Sequence, residues 1–190
     1  MKTLNFKWLA IILPLFVLIT DCKKEDEEEV SKFVGDYVIS KAVLTEALTV
    51  LTVEMGNIPV PVSTDITQAI QTALLSAVSC SSADKSYVEL REDNSMYLSC
   101  EGLNPLNAGT WEEVSPTSLK LNLNSTAIPP NGFVLTVTDI VEDASGLTGI
   151  TSVPLPKAMI TGIIATFQLT LSPTAPEVFI VKISIEFMEK

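Results

Sequence analysis

The three cysteines of this 190-residue chain are the side chains best suited to chemistry, and histidine, their commonest partner, is absent. A thiol becomes reactive when a nearby base or cation keeps it deprotonated, and a protein zinc site draws its ligands largely from thiolates and imidazoles. Without histidine no Ser-His or Cys-His nucleophile can form, and the most common general base is missing. Neither G-x-S-x-G, S-x-x-K nor a phosphate-cradling glycine loop occurs. What remains is a pair of carboxylates, as glycosidases use. The candidates, Glu112 with Glu113 and Glu142 with Asp143, are sequence neighbours. Neighbours on a strand point to opposite faces, so these doublets read as solvated surface charge. The chain is not expected to be an enzyme, and it implies no cofactor and no metal site.

The cysteines separate by context. Cys22 follows a basic start containing Lys2 and Lys7 and the apolar run Trp8 to Thr20, and it precedes Lys23-Lys24-Glu25-Asp26-Glu27-Glu28-Glu29. Such a run is a secretory signal, shorter than the ~20 residues a spanning helix needs. A cysteine at that junction, behind Ile19-Thr20-Asp21, resembles the lipidation site of bacterial lipoproteins, in a relaxed form met in Bacteroidetes and spirochaetes. The resemblance implies cleavage before Cys22 and acylation of its thiol and new amino group. Residues 1–21 are then the leader and 22–32 a charged tether. Lysines followed by acidic residues directly after the cysteine resemble the surface-export signal of Bacteroidetes lipoproteins. That implies a cell-envelope protein, lipid-anchored to the outer membrane and surface-exposed, with the membrane as partner through the anchor.

Cys80 and Cys100 remain as an even pair in an exported domain, where such pairs usually oxidise. The turn at Asp93-Asn94 lies between them and folds one strand back along the other, so a disulfide is expected. Closing a loop of that length contributes roughly 3 kcal/mol, and it would pin the segment before Cys80 to the sheet.

The net charge of −11 argues against nucleic acid as a partner and against direct attraction to anionic lipid, since both need clustered Lys and Arg. The length suits one domain, residues 33–190. Phe33 to Ser40 reads as its first strand and Val43 to Met55 favours a second, with Thr45-Glu46-Ala47-Leu48 open to a helical turn. Ser63 to Ser79 is the one convincing helix. Thr64 is the expected N-cap, and Ile66, Ala69, Ile70, Ala73, Leu74 and Ala77 form an apolar stripe opposite Thr67, Gln71 and Thr72. On this reading Leu74→Ala would cost about 2–5 kcal/mol.

From Lys85 the period becomes two. Lys85 to Arg91 and Met96 to Cys100 form a hairpin, then Gly109 to Val114 and Ser118 to Asn124 form another. Gly132 to Val141 is a further strand, with Phe133, Leu135 and Val137 inward, and Ser145 to Val153 a short one. Ala158 to Leu171 is expected to be a strand buried on both faces, paired with Glu177 to Met188. In that last strand Phe179, Val181, Ile183, Ile185 and Phe187 share one face. Short antiparallel strands at this spacing, with one helix inserted early, predict a mainly β barrel or sandwich.

Gly35-Asp36-Tyr37 opens the first strand much as Gly-x-Trp opens lipocalins, with Tyr in place of Trp. Cys80, the strand Tyr87-Val88-Glu89-Leu90, the Asp93-Asn94 turn, Cys100 and then Gly109-Thr110-Trp111 follow in order. That succession resembles the lipocalin-like domains of Bacteroidetes lipoproteins. The resemblance implies an antiparallel lipocalin-like (calycin) β-barrel whose interior holds a small apolar ligand. Trp111 and Tyr37 would close one end or simply fill core, the latter being the commoner fate of aromatics. The expected function is a lipid-anchored binding module for a small apolar ligand or an envelope partner. The alternative is a solid-cored structural, assembly or inhibitor-type lipoprotein acting through a surface patch. Internal volume separates them: a connected apolar cavity of roughly 300 Å³ or more favours a ligand, and a filled interior favours the patch.

Overall fold

A computed structural model describes residues 30–124, 132–144 and 146–190. Cys22, the leader and most of the tether lie outside the described residues. The folded unit is Ser31–Lys190. Its strands are β1 Gly35–Leu44, β2 Leu48–Thr52, β3 Gly56–Val60, β4 Ser86–Leu90, β5 Ser95–Cys100, β6 Leu106–Ser115, β7 Ser118–Leu123, β8 Phe133–Asp143, β9 Gly146–Pro156 and β10 Val178–Glu189. Among the described residues two α-helices accompany them, α1 Thr67–Val78 and α2 Lys157–Ala165.

Eight strands close an antiparallel barrel in the order β1-β10-β9-β8-β7-β6-β5-β4, and β4 returns to β1. Each strand from β4 to β10 lies beside its successor in the chain. The β1–β10 ladder, from Tyr37↔Glu189 to Leu44↔Ile183, seams the two ends of the domain together. This is the mainly β barrel that the alternating pattern allows, in the lipocalin-like form that the family resemblance implies. Inward residues of β10 (Phe179, Val181, Ile183, Ile185) are buried, and β7 buries Leu119 and Leu121. The outer face carries ion pairs such as Lys41–Glu186 at 3.4 Å and Lys182–Glu46 at 2.8 Å.

Three elements differ from the expectation. The segment Val43 to Met55 is not one strand. Leu44 N–H donates to Thr64 and Thr45 N–H to Lys182, and past that point the chain leaves the barrel for the separate hairpin β2–β3. The helix begins at Thr67, not at Thr64. Ile66 is its N-cap, and the Asp65 carboxylate accepts the Thr67 N–H at 2.8 Å.

The largest difference is α2, which replaces the strand expected over Ala158 to Leu171 and adds a second helix to the one expected. The β-branched Ile160, Thr161, Ile163, Ile164 and Thr166 favour strand locally. Yet Ile160, Ile163 and Ile164 fall at helical spacing and are all buried on one side, while Ala158, Thr161, Gly162 and Ala165 are exposed. Burial of that stripe overrides local propensity. Pro156, at φ −60° and ψ 149°, sits as the N-cap and ends β9.

β9 itself runs past Val153 to include Pro154 and Pro156. Its ladder with β8 spans only Gly146↔Asp143 to Ile150↔Thr138, so both prolines lie where β9 has no β8 neighbour and need no donor.

Candidate binding cavity

Both ladders flanking the cavity stop short. β1 pairs with β4 only over Gly35↔Leu90, Asp36↔Glu89 and Tyr37↔Val88. Beyond Tyr37, β1 has backbone groups that β4 does not reach, and α1 takes them over. Gln71 Nε2 donates to the Ile39 carbonyl at 2.9 Å, and Thr67 Oγ1 accepts the Ala42 N–H at 2.9 Å. The Ile66 N–H donates to the Ala42 carbonyl at 2.9 Å. Thr67 and Gln71 therefore face the barrel, although their polarity placed them on the solvent side of the helix. Thr72, from the same predicted face, is exposed. Side chains that can replace a missing strand neighbour are the signal that periodicity alone does not carry.

Between α1 and the barrel wall lies an apolar cavity of about 130 Å³. Leu121, Leu135 and Val137 line one side, Ile183 and Ile185 another, and Ile70, Ala73 and Leu74 of α1 and Met159 of α2 contribute from the helices. A second, open groove of about 740 Å³ runs between α1 and α2. Ala73 and Met159 line both spaces, so they stand between the groove and the cavity. Beneath the helices, Val50 and Val60 of the β2–β3 hairpin, Ile66, and the three α2 isoleucines join Leu155 and Phe179 in one buried cluster. The hairpin is tied down from the far side as well. Val53 N–H donates to Thr170, Ser172 N–H donates to Leu51, and the Glu54 carboxylate accepts the Thr170 N–H at 3.0 Å. This hydrogen bond holds the Glu54 carboxyl below its usual range.

The opposite end carries large buried aromatics. Phe33 is 0 %, Trp111 3 % and Tyr37 6 % exposed, and they pack with Met96, Leu119 and Ile140 in a second cluster. None of these three aromatics lines the cavity. Trp111 Nε1 donates to the Arg91 carbonyl at 2.9 Å, which satisfies its one donor. Trp111 reaches this position from a kink at Gly109, whose φ is 146° and where a Cβ would stand 1.9 Å from the Asn122 carbonyl oxygen. Only glycine fits there. The Tyr37 ring meets Phe187 edge-on with centroids 6.3 Å apart. Burial, and then the nearby Glu189 and Glu142, push its hydroxyl up to about 12. Trp111 and Tyr37 fill core.

The Cys80 and Cys100 sulfurs stand 2.03 Å apart with Cα atoms 5.7 Å apart, a pair compatible with a disulfide. Cys80 follows α1, which ends at Ser79 in the left-handed region, and Cys100 closes β5. The bridge therefore ties the far end of α1 to the barrel rim. The carboxylate doublets have separate surface roles. Glu112 pairs with Lys120 at 3.5 Å, Glu113 accepts the Ser31 hydroxyl, and Glu142 lies 3.9 Å from Lys32. Among the described residues no three Cys, Asp or Glu side chains converge, and no helix is long and apolar enough to cross a membrane.

No protein-family model, curated protein or solved structure matches this chain.

Proposed function

We propose that this chain is a lipid-anchored cell-envelope binding module that takes a small apolar ligand into the barrel beneath α1 and α2. The observation that carries the reading is an apolar cavity that is divided from the outer helix–helix groove by Ala73 and Met159, which line both spaces. At about 130 Å³ the inner space is smaller than the ~300 Å³ of ordinary ligand pockets. It suits a ring or short branched end, with any remaining part of the molecule lying in the groove. Anchoring rests on Cys22 and its resemblance to a lipoprotein site, and several acyl chains would hold the protein stably where one would not.

Native mass spectrometry of protein purified from its own host tests both parts. The expected result is a lipid mass on Cys22 and a retained small molecule. Ala73→Phe, which places a ring at the junction of groove and cavity, is expected to abolish that retention while the lipid stays. Cys22→Ser is expected to release the domain from membranes or block its maturation. Unchanged detergent partitioning of that variant would sink the anchor.

The small inner volume also favours a second reading, a structural or assembly lipoprotein that acts through its surface. Retention of no ligand by the wild-type protein would select it.

A further inference from the structure

Thr151 lies on β9 opposite Ile183 and faces the barrel interior with Leu147 and Leu155. It is 4 % exposed and is the one polar side chain among the described residues that line the cavity. Its hydroxyl is buried and finds no hydrogen-bond partner among the described residues. Thr45, the other residue in that condition, does not line the cavity. A buried hydroxyl without a partner is costly, and valine would fill the same space without that cost. A polar atom kept in an otherwise apolar chamber is suited to orienting whatever enters it.

We propose that Thr151 Oγ1 is the polar anchor of this cavity, and that the ligand is a neutral apolar molecule bearing a hydroxyl or carbonyl on its buried end. The inference rests on the binding function proposed above and narrows it. A hydroxyl can donate to a carbonyl or exchange donor and acceptor roles with another hydroxyl. No described lining residue is charged, so a carboxylate or ammonium would be buried among them without compensation. The volume holds about one six-membered ring, since an engineered cavity of about 150 Å³ takes up benzene.

Phenol and toluene match in size and differ only in a hydroxyl against a methyl, which makes them the probe pair. The full chain in detergent micelles is titrated with each, and free probe is corrected by the same titration of empty micelles. The readout is the methyl resonances of Met96 and Met159, which line the cavity. Thr151→Val is expected to weaken phenol about threefold to tenfold and leave toluene unchanged. Thr151→Ser is expected to keep the preference for phenol, and thermal unfolding of Thr151→Val should come at or above the wild-type temperature. If Thr151→Val changes both probes equally, or neither, Thr151 is not the anchor and the proposal falls while the binding function stands. If neither probe moves these methyls in the wild-type protein, the binding function fails and the proposal with it.

Discussion

Where the chain comes into the barrel, Phe33, Tyr37 and Trp111 fill the cross-section. At the other end the strands stop pairing, and two helices and a hairpin provide the cover. The first end is closed by Phe33 from the turn before β1 and by Tyr37 and Trp111 on strands, where β1 pairs with both β4 and β10, although register shifts interrupt the β5–β6, β6–β7 and β8–β9 ladders. The second is closed by segments that lie across the opening, packed in the cluster of Val50, Val60, Ile66 and the α2 isoleucines and tied by scattered hydrogen bonds and one cysteine pair instead of a strand ladder to the barrel. A filled core and one that encloses a cavity are thus made from the same kinds of residue. What separates them is whether β1 and β9 keep a strand neighbour on both sides around the space.

The largest expected contrast is between truncations at the two ends. Trp111→Ala should cost about 3–5 kcal/mol in urea denaturation, through lost burial and an orphaned Arg91 carbonyl. Leu74→Ala should fall near the bottom of its range, about 2 kcal/mol, because Leu74 is half-buried and borders a space that is already empty. Equal losses would erase the distinction between the ends.

Reduction of Cys80–Cys100 should cost roughly 3 kcal/mol. In native-state hydrogen exchange the α1 amides should lose protection first, while those of β6 and β7 around Trp111 keep theirs. Simultaneous loss in both regions would show that the covered end does not open by itself.

Titration provides a smaller effect at the plugged end. The Tyr37 hydroxyl is raised when folded, so its contribution is complete below about pH 10 and is lost as pH rises through about 12. The wild-type protein should lose about 2–3 kcal/mol over that interval, and Tyr37→Phe should lack this loss. Denaturation at pH 9 and pH 12 measures it.

Asp36 gives the smallest effect. Burial, and then the charge of Glu89, raise its carboxyl. Its contribution is therefore present below about pH 4 and lost as pH rises through the folded value. Asp36→Asn should be the more stable protein at pH 7 and equal to wild type at pH 3.

The barrel could be read from the sequence because most of its strands alternate strictly. Leu119, Leu121 and Leu123, or Phe179 to Phe187, have one buried face and cannot slip register without exposing it. The helix α1 was legible from Ile66, Ile70 and Leu74 for the same reason. What escaped was decided by partners distant in sequence. The isoleucines of α2 look like strand residues until the β2–β3 hairpin supplies a surface for one helical face. Thr67 and Gln71 look solvated until the β1–β4 ladder ends and leaves backbone groups for them to bond. A cavity was expected, but its lining was not. The aromatics that suggested a site plug the far end, whereas Thr151 and Met159 stood in segments read as strands and carried no local sign of use.

The β1–β10 seam has a mechanical consequence. Tyr37 pairs with Glu189, and the Lys190 N–H donates to the Asp36 carbonyl, so the chain enters and leaves the domain side by side. Tension applied between Ser31 and Lys190 would load that antiparallel ladder from one end, opening its rungs singly like a zipper and never shearing them together. The barrel would yield to a pull along its own chain at forces far below those needed to slide the same strands lengthwise.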